Sequence, residues 1–254
     1  MSLLWPETIT VGLFGDRCWL RRDGGEVGQA DAGSSDPAAW LCALETMLNG
    51  QRRPVKKFSS LHMVVSDSAC MLTHLPWQDE LHGRNEIQAY AQACFAHQGG
   101  EPVAGWVVKA GFRKFRAAGL AYAVQQDWLS SLLALTQRHG LRLRSVLPAS
   151  AAAYWYSRTP RKAVSLVLLA EPTRMTAHLY DGGCLLGLDV QPVTTDLATA
   201  GTRLLRRVAL VSPRIVQVQY WQATRMATAD DIGFIAACLP EAEVLYLDFA
   251  WRIR

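Results

Sequence analysis

The sequence predicts an α/β protein of two similar lobes, the first carrying a small inserted subdomain. Three observations lead there. One strand pattern is written twice, each copy is followed by a helix and then an apolar strand, and one segment of the first half has no counterpart in the second. In the first copy, strands over 8–13, 18–22 and 27–30 are separated by the break Gly15-Asp16-Arg17 and the turn Asp23-Gly24-Gly25. In the second, strands over 164–169, 175–180 and 185–190 are separated by Glu171-Pro172-Thr173 and Asp181-Gly182-Gly183. Asp-Gly-Gly between extended runs is a hairpin signal, because glycine takes positive φ at no steric cost. Each half reads β-β-β-α-β-α-β, which sets two lobes face to face with a cleft between them.

The elements follow in order. Asp36 suits an N-cap and Pro37 the first helical position, and Trp40, Leu41, Leu44, Met47 and Leu48 share one face before Asn49-Gly50 stops the helix. Strands over 61–66 and 71–75 flank an Asp67-Ser68 turn. The segment 76–126 reads as the insertion, with a helix over 86–96 (apolar face Ile87, Tyr90, Ala91, Cys94, Phe95) and strands over 103–110 and 119–124. The repeat resumes with Asp127 capping a helix over 128–139, Gly140 after its end, and a strand over 141–147. Pro148 opens an alanine-rich helix over 149–156, and Arg158-Thr159-Pro160-Arg161 connects the lobes, which places them at 1–160 and 161–254. The second half continues through a helix over 195–209, a strand over 215–220, a helix over 228–239 and a buried strand over 244–249.

Composition narrows the function classes. The 254 residues are half hydrophobic and 19% charged, enough for a substantial core. A net charge of +4 is only mildly basic, and Arg52-Arg53, Lys56-Lys57, Arg113-Lys114-Arg116 and Arg206-Arg207 form no long tract. Solvated faces account for them, and a nucleic-acid-binding module would lack an aromatic-basic platform. The six cysteines contain no C-x-x-C pair, which points to a reducing, cytoplasmic compartment. No signal peptide and no apolar run of membrane-spanning length is evident.

A cleft between such lobes must be armed to do chemistry. A duplicated lobe of this order is the layout of the ribonuclease-H-like, actin-like ATPase fold, whose members wrap phosphates with the first hairpin turn of each meander. That task needs consecutive free N–H groups and an aspartate for Mg²⁺. The first turn keeps Gly15 and Asp16, but Phe14 and Arg17 crowd it. The second has Glu171 but no glycine, and Pro172 removes an N–H. The helix expected over an adenosine offers only Gly201. Gly15, Asp16, Glu171 and Gly201 thus mark a degenerate nucleotide cleft. Nuclease chemistry lacks its anchor, since Val11-Gly12-Leu13 carries no carboxylate. Cys70 and His74 lie too far apart along a strand to share a zinc, and Cys94 with His97 lacks further ligands. No cofactor and no metal is expected, and no enzymatic activity. Trp77, and the end Trp251-Arg252-Ile253-Arg254, are the candidate partner anchors, with Trp77 packed under the subdomain as the alternative.

Leu75-Pro76-Trp77, Ala93-Cys94-Phe95, Val146-Leu147-Pro148 before the alanine-rich helix, and Leu168-Leu169-Ala170-Glu171-Pro172 carry a family resemblance. The chain resembles the cytoplasmic actin-like domains of the type II secretion protein L and type IV pilus PilM group. The resemblance implies a non-catalytic cytoplasmic scaffold that docks protein components of an inner-membrane pilus or secretion machine. It also implies a homo- or heterodimer and contact with the membrane only through partners. The alternative is a nucleotide-binding actin-like ATPase with divergent phosphate loops.

Overall fold

The computed structural model describes residues 7–15, 17–22, 27–51, 56, 58–99, 104–212, 214–223, 228 and 230–246. The first lobe runs β1 (Thr8–Phe14), β2 (Arg17–Arg22), β3 (Val27–Asp31), α1 (Pro37–Asn49), β4 (Ser60–Val65), β5 (Cys70–Leu75), α2 (Arg84–Gly99), β6 (Trp106–Gly111), β7 (Gly119–Gln125), α3 (Gln126–Arg138), β8 (Arg142–Pro148) and α4 (Ala149–Tyr156). The second runs β9 (Val164–Ala170), β10 (Arg174–Asp181), β11 (Cys184–Pro192), α5 (Leu197–Val211), β12 (Ile215–Gln222), α6 (Gly233–Cys238) and β13 (Glu243–Tyr246).

The two large sheets have the orders β3-β2-β1-β4-β8 and β11-β10-β9-β12-β13. Position by position these are one order, a three-strand antiparallel meander extended by two parallel strands. The expected duplication is therefore present in the hydrogen bonding itself. The turn between β10 and β11 is the hairpin expected from Asp-Gly-Gly, with Gly182 and Gly183 at φ 55° and 74°.

Alternation along the central strands sets which residues meet which neighbours. On β1, Ile9, Val11 and Leu13 enter the core under α1 and α3, whereas Phe14 points into a second core shared between the lobes. On β9, Leu166 and Leu168 pack beneath α5 and α6, whereas Val167 and Leu169 enter the shared core. Both faces of each central strand are thus covered, one by its own helices and one by the other lobe. That explains why these strands read as nearly unbroken apolar runs.

Several local expectations are met. Asp36 accepts from the Ala38 N–H at 3.0 Å with Pro37 at the start of α1, and Gly140 takes φ 66° after α3. Others are corrected. Strand β5 pairs only with β7, so the inserted subdomain is a three-stranded sheet, β5-β7-β6, under α2, and its sheet begins at Cys70 rather than at 76. Asp127 sits in the first turn of α3, not at its cap, which is Gln125 with no side-chain bond. The helix expected over 228–239 is a 3-10 turn (Asp230–Ile232), which the Asp231 carboxylate ties to Thr228 at 2.7 Å, followed by the short α6. Among the described residues no helix is long and apolar enough to cross a membrane.

Candidate functional site

Two concavities matter: the cleft between the lobes, where the sequence points, and a groove where the subdomain meets the first lobe.

The cleft is filled. Trp19 of β2 lays its ring over Gly12, where an added Cβ would stand 2.2 Å from the indole, so only glycine fits beneath it. The same indole N–H donates across the lobes to the Ala223 carbonyl at 3.1 Å. Phe14 meets Trp221 edge-to-face at 5.4 Å, and Ala149, Ala151, Ala152, Ala153 and Tyr154 of α4 close the space between the two sheets. Small residues on α4 let the two lobes approach closely, and the shared core is continuous from one to the other.

The turns expected to wrap phosphates meet each other. Gly15, at φ 51°, faces Pro172, whose Cβ and Cγ would each lie 3.5 Å from a Cβ added at Gly15. The Gly15 carbonyl accepts from the buried Trp40 indole at 2.7 Å. The pyrrolidine of Pro172 therefore stands against the first turn. Asp16 lies outside the described residues, as do Trp251, Arg252 and Arg254. Gly201 is not brought to these turns: it packs in the second lobe against Phe234, 2.2 Å from where its Cβ would be, and serves the close contact of α5 with α6.

Behind the turns lies a buried polar chain whose members are scattered along the sequence. Glu171 hydrogen-bonds Ser66 Oγ through one oxygen and accepts the Asp67 N–H through the other at 3.2 Å. The Asp67 carboxylate accepts the Ser150 N–H at 2.9 Å and the Ser150 hydroxyl at 2.6 Å. Ser150 Oγ lies 2.9 Å from His178 Nε2, and the Tyr180 hydroxyl lies 3.5 Å from His178 Nδ1. Arg174 donates to the Asp67 carbonyl at 3.2 Å. Ser66, Asp67 and Ser150 come from the first lobe, and Glu171, Arg174, His178 and Tyr180 from the second.

Burial governs the protonation of this chain. It pushes Glu171 up to about 8, with the neighbouring Asp67 charge adding to the effect. It also raises Asp67, against which the two Ser150 hydrogen bonds and Arg174 act. It drives His178 down to about 3. At neutral pH one carboxyl of the pair is protonated and the imidazole is neutral, which limits the charge buried at the joint. Ser150 is not a primed nucleophile. Its proton goes to Asp67, so His178 presents an N–H to the oxygen and cannot act as its base. The chain runs from one lobe to the other through buried carboxylates, Ser150 and His178, which suits a latch.

The groove is different in kind. It encloses about 340 Å³ between Val107 and Lys109 of β6, Tyr122 and Val124 of β7, Leu129 and Leu133 of α3, and residues 143–147 of β8. Five consecutive β8 residues line it, of both side-chain parities, as happens when a strand presents its edge and not a face. Among the described residues β8 is the outer strand of its sheet and pairs with another strand on one side only, while Val107, Lys109, Tyr122 and Val124 face it from one side of the subdomain sheet and the Tyr122 hydroxyl reaches the Val146 carbonyl at 3.4 Å. Leu133 leaves 40% of its surface exposed beside them. Apolar walls and a free strand edge are what an extended peptide needs. The sequence reading missed this groove, because strand pairing decides which edges stay open.

Trp77 lies half-buried on the subdomain, edge-on to Phe112 at 5.0 Å and to Phe115 at 5.1 Å, with its N–H on Asp79 at 2.9 Å. It backs an exposed loop and lies outside the groove lining.

No protein-family model and no curated protein matches the chain. Solved structures do. The type IV pilus biogenesis complex PilM-PilN matches with a TM-score of 0.65 at 12% identity, over 96% of this chain and 88% of the other. A Bacteroides thetaiotaomicron protein of actin-like ATPase fold and unknown function matches with a TM-score of 0.61 at 10% identity, over 95% and 90%. The cytoplasmic domain of EpsL, an inner-membrane component of the Vibrio cholerae type II secretion system, matches with a TM-score of 0.56 at 13% identity, over 95% and 89%. The group that the sequence resembles is thus met again in three dimensions, and the chain has the actin-like ATPase fold in two lobes.

Proposed function

We propose that the chain is a non-catalytic adaptor of a pilus or secretion-like machine, acting at the cytoplasmic face of the inner membrane. Its groove between β8, α3 and the inserted subdomain receives an extended segment of a protein partner. The observation that carries this reading is the groove itself, an open apolar channel along a free strand edge. The filled cleft supports the other half, that the chain neither binds nor hydrolyses nucleotide, since Trp19 and Phe14 fill the space between the sheets and Pro172 stands against the first turn. Likeness in fold to PilM, solved with PilN, and to EpsL supports the choice of machine. Pairing into a homo- or heterodimer is compatible with it.

The test places a photo-crosslinking amino acid at Leu133 in the groove, and at Leu210, 87% exposed on α5, as a control. In the native host, Leu133 should capture an inner-membrane component of such a machine, identified by mass spectrometry, and Leu210 should not. Equal capture from both positions, or none from Leu133, would overturn the assignment.

A further inference from the structure

The loop between β6 and β7 carries a feature that docking in the groove does not use. Phe115 stands at its tip with 77% of its surface exposed, the most exposed aromatic side chain among the described residues. Trp77 supports it edge-on from behind, and Phe112 continues the aromatic row. Arg116 takes φ 56°, a left-handed conformation that non-glycine residues adopt at some cost, and this bend helps turn the tip outward. The loop is held from beneath. The Arg113 N–H donates to the Tyr154 hydroxyl at 2.8 Å, its guanidinium reaches the Ser157 carbonyl at 3.0 Å, and Lys114 donates to the Gly182 carbonyl at 2.7 Å. An exposed phenylalanine on so well anchored a loop is a presented group.

Its surroundings are cationic through space, although the sequence disperses them. The Lys114–Gly182 bond sets the loop beside the β10–β11 turn. The interlobe connector lies against the same turn, with Thr159 Oγ1 3.2 Å from a Cβ added at Gly183 and the Arg161 carbonyl 3.2 Å from one at Gly182. Arg158, Arg161 and Lys162 on that connector are exposed, as are Lys114 and Arg116 on the loop. Asp79, with Glu80 next to it in sequence, and Asp181 are acidic residues of the same segments. Asp79 holds Arg116 in a solvated pair at 3.5 Å, both side chains more than 60% exposed, which an opposing anionic surface would readily compete with.

The geometry points to this surface as a direct contact with anionic lipid headgroups, Phe115 entering the interface while Lys114, Arg116, Arg158, Arg161 and Lys162 meet the phosphates. An apolar tip ringed by long basic side chains matches the layered polarity of a bilayer surface, where aromatic rings settle at headgroup depth and cations lie above them. A single-stranded nucleic acid would instead need a free aromatic face, and Arg116 lies over the Phe115 ring at 5.4 Å. The inference is independent of the groove, which is lined by other residues, and departs from the expectation that the membrane is reached only through partners.

The experiment is co-sedimentation of the whole chain with phosphatidylcholine vesicles, with and without phosphatidylglycerol. Single-stranded RNA and polyglutamate serve as competitors. Binding should require phosphatidylglycerol and weaken with salt. Phe115→Ser should weaken it by about tenfold. Arg161→Ala and Lys162→Ala should each weaken it by about fivefold, the equivalent of ~1 kcal/mol per basic residue near an anionic leaflet. All three positions are exposed, and circular dichroism melting should confirm that the variants fold. Equal sedimentation with both vesicle types, or no loss in the combined triple variant, overturns the proposal. So does displacement of the protein from vesicles by RNA or polyglutamate at matched charge.

Discussion

The cleft between the lobes and the groove beneath the subdomain are both formed where two units of the fold meet, yet they have opposite chemistry. The cleft joins two sheets through buried faces: Phe14 against Trp221, alanines of α4 between them, and a polar chain in which each lobe supplies partners for the other. The groove sets the outer edge of β8 against one face of the subdomain sheet, leaving leucine side chains and part of that edge open. Side chains decide whether a space between two lobes is open or filled. Trp19 over Gly12 and Pro172 against Gly15 make the cleft a joint.

The comparison breaks most easily at the joint's apolar half. Phe14→Ala should cost about 3–5 kcal/mol, because the ring is wholly buried and both lobes would have to collapse to refill the space. A urea midpoint within error of the unsubstituted protein would show that the shared core does not hold the lobes together. Ser150→Ala comes next. It removes the hydroxyl between Asp67 and His178, and an under-satisfied buried carboxylate costs about 1–3 kcal/mol, read from the same denaturant curves.

pH sharpens the picture. Glu171 has a raised folded value, so folding favours its protonated form, and this contribution is complete below the usual carboxylate range and lost as pH rises to about 8. His178 has a depressed folded value, so the unfolded chain takes up a proton first, and stability falls as pH drops from about 6.5 towards 3. The two trends offset each other between about 4.5 and 6.5. The melting temperature should therefore form a plateau there and decline on both sides. Glu171→Gln, which can keep both hydrogen bonds without a charge, should flatten the alkaline side and melt several degrees above the unsubstituted protein at pH 9. An unchanged alkaline slope would mean that Glu171 is charged in the folded protein.

The smallest stability effect belongs to the groove. Leu133→Asp should change stability by less than about 1 kcal/mol, since the side chain is part-exposed, while abolishing partner capture. A variant that unfolds would move Leu133 from the docking surface to the core.

What the sequence revealed follows the range of the interactions involved. The duplicated meander was legible because hairpin turns and apolar runs are local, and the elements of each half follow one another as expected outside the inserted subdomain. Asp36 and Gly140 were legible for the same reason. Strand β5 was misassigned because its partner, β7, lies over 40 residues away, and adjacency to β4 in sequence says nothing about pairing. Glu171 was singled out as a relic of a phosphate turn, and the structure places it in a latch with Ser66 and Asp67. One signal for that latch was available: His178 interrupts the apolar run 175–180 at a position where only a buried partner could satisfy it. Ser150 arrives from 28 residues away, so only the folded chain names it.

The central claim is that the cleft is a closed joint, and melting the protein with and without millimolar Mg-ATP tests it most directly. A ligand of the folded state stabilises by RT ln(1 + [L]/Kd), so a real site with sub-millimolar affinity would raise the melting temperature measurably. The account predicts no shift. A rise of several degrees that grows with nucleotide concentration would contradict it and restore the nucleotide-dependent alternative.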